Sequence, residues 1–160
     1  MTIKLPLSQL NQLYQQDYQE WIKGTIAVLR DRSFSLLDLD NLIEEIEDMG
    51  KSQKDALESN LIILLMHLLK YRFQPEKRID SQSWRYSIVE HRRRLLRAFK
   101  KSPSLRRYFE EILAECYQDA RQDTKTETQL SLDIFPEICP FSQAEILDPD
   151  FLPDRETPEF

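Results

Sequence analysis

Apolar residues recur at helical spacing through most of the chain. Within Ser8–Arg32, Leu10, Leu13, Tyr14, Tyr18, Trp21, Ile22, Ala27, Val28 and Leu29 mark an amphipathic stretch, read as a short turn followed by a main helix from about Asp17. Asp38 or Asp40 is placed to cap the next helix, because a short acceptor side chain there satisfies free N–H groups of the first turn. From that point Leu42, Ile46, Met49, Leu57, Leu61, Leu64 and Leu68 keep a helical period, with a polar gap at Gln53. Ile46 is therefore expected to face inward. One helix to about Tyr71 would run roughly 50 Å at 1.5 Å per residue. The alternative is a break at Gly50, with Ser52 and Asp55 as a capping box.

Glycine and proline punctuate the rest. Gly24 and Gly50 are the only glycines, and no proline lies between Pro6 and Pro75, which permits long helices. Pro75 stops the long helix, and Ser81 or Ser83 starts the next, with Trp84, Ile88, Leu95, Leu96 and Phe99 on its face. Ser102-Pro103-Ser104 is a break and a fresh start. A fourth helix follows on Leu105, Phe109, Ile112, Leu113, Cys116 and Tyr117, fading by about Thr126. Ser142 to Glu145 reads as a capping box opening a short helix over Ala144, Ile146 and Leu147. Five of the eight prolines fall in the last 25 residues, so this end reads as a strap without long helices. No strand-like alternation of useful length occurs. The expected fold is all-α: a bundle of four to five helices with a long central helix and a proline-rich C-terminal strap, in one domain over residues 1–160.

Composition fits that fold. Apolar residues make up 41% and charged residues 31% of the chain, a globular rather than disordered profile. The N-terminal segment lacks the basic start, apolar stretch and cleavage site of a signal peptide. Leu61–Leu69, the longest apolar run, falls short of the ~20 residues of a membrane span. A cytoplasmic protein without a membrane partner is expected. Cys116 and Cys139, with no CxxC spacing, read as reduced structural thiols.

Charge adds something the totals hide. The net charge is −6, yet residues 70–107 carry 13 basic and 3 acidic side chains, and residues 108–160 carry 3 and 14. The basic block either attracts phosphate backbones through counterion release or is matched inside the molecule by its acidic neighbours. The whole-chain pI of about 5.1 favours the second. Arg92, Arg93, Arg94, Arg97, Lys100 and Lys101 are the candidate nucleic-acid residues, within a basic helix spanning 92–107.

Other chemistry is sparse. Leu61–Leu69 is apolar almost all round, so His67 sits at or near the core and needs a polar partner there. Glu45, His67, Glu90 and His91 offer metal-ligand types, but the Glu-x-x-His spacing of bundle metal sites is absent, and neither a metal nor a cofactor is expected. Arg85 and His91 form an Arg-x5-His pattern like that of HEPN ribonucleases, which leaves a ribonuclease-like enzyme using His67 or Arg85/His91 as an alternative. No Gly-rich phosphate loop, G-x-S-x-G elbow or H-E-x-x-H occurs.

One pattern spans nearly the whole chain. Leu13-Tyr14…Asp17-Tyr18…Trp21, Leu36…Leu39-Asp40-Asn41-Leu42-Ile43-Glu44-Glu45-Ile46-Glu47-Asp48-Met49-Gly50, His67-Leu68-Leu69-Lys70-Tyr71…Gln74-Pro75-Glu76-Lys77-Arg78, Ser83-Trp84…Ile88…Arg92, Ser102-Pro103-Ser104-Leu105, Ala114…Tyr117…Ala120-Arg121 and Phe135-Pro136-Glu137…Cys139-Pro140 together resemble the Domain of Unknown Function 29 family, bacterial proteins especially numerous in cyanobacteria. The resemblance covers about residues 13–153. It implies an all-helical, stand-alone cytosolic protein, brings no activity with it, and suggests a loose association with toxin–antitoxin-like gene pairs. Tyr71 stands where the family pattern has Trp, Ile79–Gln82 lengthens the link to Ser83-Trp84, and Gln129 replaces an expected glycine. His91 is not a position that the pattern requires. Glu45, His67, Lys70, Arg78 and Arg92 fall on it, as members of an expected polar network fixing helix register. The reading that results is a protein-interaction or structural module, with nucleic-acid binding as the alternative.

Overall fold

In the computed structural model, which describes residues 6–74, 76–77 and 82–153, Asp17 divides the first amphipathic stretch into two helices, α1 (Leu7–Gln16) and α2 (Tyr18–Arg30). The Asp17 carboxylate accepts from the Glu20 amide at 3.1 Å, satisfying one free donor at the start of α2. After a 3-10 turn, Phe34–Leu36, comes α3 (Leu39–Phe73), 35 residues long. Gly50 does not interrupt it, and a Cβ added there would meet nothing within 4 Å. The remaining helices are α4 (Gln82–Lys101), α5 (Leu105–Thr128) and α6 (Gln143–Leu147), with a 3-10 turn at Leu132–Ile134. The chain is all-α, with six α-helices among the described residues rather than four or five, because one stretch holds two. Pro75 and Ser81, the expected stop and start, lie outside the described residues.

Two compact units divide after Ser52. In the first, Leu10, Trp21 and Val28 form a small core. Tyr14 meets the Trp21 ring edge-on at 5.0 Å and Tyr18 stacks on it at 5.6 Å. The indole N–H donates to Asp38 Oδ2 at 3.0 Å, and the Asn41 amide donates to the same oxygen. Asp38 thus sits just before α3, as expected of a cap, while its carboxylate anchors α2.

In the second unit, Leu57, Leu61, Leu64, Leu65, Leu68 and Leu69 of α3 are buried together with Ile88, Leu95 and Phe99 of α4 and Phe109, Tyr117 and Ala120 of α5. Each of the leucine, isoleucine and phenylalanine side chains contributes roughly 1.5–3 kcal/mol through burial. The strap adds Phe135, Phe141 and Ile146 to the same core. At the break between α4 and α5 the Leu105 amide donates to Ser102 O and the Arg106 amide to Pro103 O. The capping box on α6 is complete: Ser142 Oγ accepts from the Glu145 amide and the Glu145 carboxylate accepts from the Ser142 amide.

The first part of α3 departs from expectation. Ile46 is 59% and Met49 66% exposed, although their spacing continues the buried leucine stripe. Asp38, Leu42 and Glu45 share the face turned to α1 and α2; Ile46 lies about 100° round from Glu45, and Met49, on the face of Leu42 and Glu45, stands one turn beyond Glu45. The two short helices cover one side of its first turns only.

Candidate functional site

Arg92 is 2% exposed. Its Nε donates to Ile146 O at 2.8 Å, and its terminal nitrogens donate to Glu145 O at 3.3 Å and Phe151 O at 3.1 Å. The Glu145 and Ile146 carbonyls belong to the last turn of α6, where no intrahelical partner exists, so one guanidinium caps α6 and holds the chain beyond it. Burial depresses the Arg92 pKa, opposed by Asp148 and Asp150. A guanidinium committed to carbonyls in the core cannot reach a phosphate backbone, which removes Arg92 from the nucleic-acid set.

Arg121 does the same work earlier in the strap, donating to Phe135 O at 2.9 Å and Leu132 O at 3.3 Å. Tyr117 adds a bond from its hydroxyl to Pro136 O at 2.5 Å. Sequence reasoning placed Arg121 in the family pattern but gave it no role. The available signal was a lone arginine on the apolar side of α5, in phase with Tyr117.

The other expected network members have separate partners. The Glu45 carboxylate accepts from the Tyr14 hydroxyl at 2.7 Å and the Tyr18 hydroxyl at 2.6 Å, which lowers its own pKa and raises that of Tyr14 to about 12. His67 donates from Nδ1 to Ile63 O at 2.8 Å, one turn back in its own helix. Only a protonated nitrogen can pair with a carbonyl, so this bond fixes the tautomer. Burial lowers its pKa, with Lys70 adding to the effect. The Lys70 ammonium is buried, pairs with Glu127 at 2.6 Å and lies 5.1 Å from the centre of the Trp84 ring. Arg78 lies outside the described residues.

Arg85 and His91 are directed to different partners. Arg85 donates to the Tyr71 hydroxyl at 2.9 Å, and His91 Nδ1 donates to Asn60 Oδ1 at 2.8 Å. Six positions on a helix turn the second side chain well away from the first. Among the described residues no group of three or more His, Cys, Asp or Glu side chains is placed to hold a metal ion. Cys116 and Cys139 are free thiols, and burial pushes that of Cys116 up to about 12, far from a nucleophilic thiolate. No helix among the described residues is long and apolar enough to cross a membrane.

Two surfaces remain. On α4, Glu90 pairs with Arg93 and, at 2.9 Å, with Arg94 Nε. Arg94, Arg97 and Lys101 then rim a cleft of about 250 Å³ between α3 and α4, whose floor includes Leu57, Leu95 and Ala98, with exposed Ala56 at its edge. On the first part of α3, Leu39 (55% exposed), Ile43 (46%), Ile46 and Met49 make an apolar stripe bordered along one side by exposed Asp40 and Glu47, with Glu44 and Asp48 on the far side of the helix. A family model for a domain of unknown function, DUF29, matches residues 13–152 of the chain. No curated protein and no solved structure matches it significantly.

Proposed function

The chain belongs to the DUF29 family, and from that premise we propose that it acts as a protein-interaction module whose docking face is the stripe Leu39, Ile43, Ile46 and Met49 of α3. The observation that carries this reading is the exposure of four large apolar side chains at core-like spacing. Scattered apolar residues on a surface are ordinary, whereas a contiguous patch rimmed by polar groups marks a binding face. Steps of four, three and three residues keep the four on one side of the helix, the pattern by which one helix docks on another.

The flanking charges select the partner. Asp40 and Glu47, along the edge of the stripe, would oppose their own copies in a self-pairing, and like charges held together cost energy. A helix whose apolar stripe is flanked by Lys and Arg complements this face. The test is fluorescence anisotropy with two designed amphipathic helical peptides, one Leu/Lys and one Leu/Glu. Binding of the first in the micromolar range, about −8 kcal/mol, with none of the second, supports the reading. Indifference to both peptides counts against it.

A further inference from the structure

We propose that the cleft between α3 and α4 binds a small organic anion, an apolar group of about one aromatic ring carrying a terminal phosphate. The ionisable side chains lining the cleft are Arg94, Arg97 and Lys101, all cationic, in a chain whose net charge is −6. Their spacing places one cation on each of three successive turns of α4, along a single face. Glu90 occupies Arg94 through Nε only, which leaves the terminal nitrogens of its guanidinium for an anion, and guanidinium groups grip phosphate bidentately.

The floor has the opposite character. Leu57, Leu95 and Leu105 line it, and the space itself exists because Ala56 on α3 and Ala98 on α4 stand where larger side chains would fill it. A volume of about 250 Å³ corresponds to roughly eight waters at ~30 Å³ each, enough for one ring and one phosphate. Asn60, at one end, is held by two bonds, accepting from His91 and donating to Ala56 O at 2.7 Å, so its amide is fixed before any ligand arrives. An apolar floor beneath convergent polar groups is the usual build of a small-molecule site.

A single strand of nucleic acid fits less well. Such strands need aromatic platforms for successive bases. Here Phe99 is buried in the core, Trp84 lies beneath Lys70, Tyr86 is exposed on α4 but away from the cleft, and no ring lines the cleft.

The experiment titrates the full-length protein with phenyl phosphate, followed by amide chemical shifts. Inorganic phosphate, phenol and an oligothymidylate serve as the comparison ligands. Phenyl phosphate is expected to saturate with shifts confined to residues 53–60 and 94–105, and to bind at least about tenfold tighter than either of its halves, since each contributes a separate interaction. Arg97→Gln and Ala56→Phe, both at exposed positions, each weaken it about tenfold or more, whereas Lys100→Gln, exposed on the same helix and outside the cleft, leaves it unchanged. The proposal is overturned by the absence of saturation at about 10 mM, where binding is worth less than ~3 kcal/mol. Equal weakening by Lys100→Gln, unaltered affinity in Ala56→Phe, or tighter binding of oligothymidylate than of phenyl phosphate also overturns it.

Discussion

Arg92 shows how one residue joins distant parts of the sequence. Replacing it with Met keeps most of its volume but leaves the carbonyls of Glu145, Ile146 and Phe151 without their donor. A buried acceptor left unpaired costs about 1–3 kcal/mol, so Arg92→Met is expected to lower stability by roughly 3–5 kcal/mol in chemical denaturation. The same variant should speed amide hydrogen exchange in residues 143–153. Gln129 gives the opposite expectation. It ends α5 in the left-handed region, φ 59°, with its amide donating to Lys125 O, where a Cβ costs roughly 1–2 kcal/mol. Although the resemblance implies a glycine here, Gln129 keeps the left-handed turn. Gln129→Gly should stabilise the protein by up to about 1 kcal/mol, read as a raised melting temperature.

The two histidines carry the pH dependence near neutrality. Burial lowers the pKa of both below 6.5; Lys70 adds to this at His67 and Arg94 at His91, while Glu127 and Glu90 oppose it. The unfolded chain therefore takes up protons at a higher pH than the folded one, and stability rises with pH where this holds. The contribution is fully present above pH 6.5 and is lost as pH falls through the folded values. Glu45, lowered by its two tyrosines, acts in the same direction further down, below 4.5. The melting temperature should fall between pH 7 and 5, and a His67→Gln/His91→Asn double variant should flatten that slope.

At the scale of elements, the stripe on α3 divides in two. Leu57→Ala removes a side chain 1% exposed and should cost about 2–5 kcal/mol, whereas Ile46→Ser combined with Met49→Ser should change stability by less than about 1 kcal/mol. Periodicity located α3 and the leucines of its second half, because a helix buried on most sides shows its spacing plainly. It misjudged Ile46 and Met49 because a period reports which residues share a face, not what covers it. The capping box at Ser142 was legible for the converse reason: both partners lie within four residues of each other. The clamps formed by Arg92 and Arg121 were not, since their acceptors are backbone carbonyls, which carry no side-chain signature and lie up to 59 positions away.

For the whole molecule, the segregation of charge acquires a local meaning. Glu90 balances part of the basic helix from within α4, Arg92 is spent inside the core, and Arg94, Arg97 and Lys101 collect around one cleft. On the first part of α3, Asp40 and Glu47 border the apolar stripe instead. The most direct measurement is Leu/Lys peptide binding by the Ile46→Ser/Met49→Ser variant, which keeps every charge, compared with wild-type protein at matched stability. Loss of two buried apolar contacts should weaken binding by about tenfold or more with melting unchanged. Undiminished affinity would mean that the acids alone attract the peptide, and would contradict a docking face on α3.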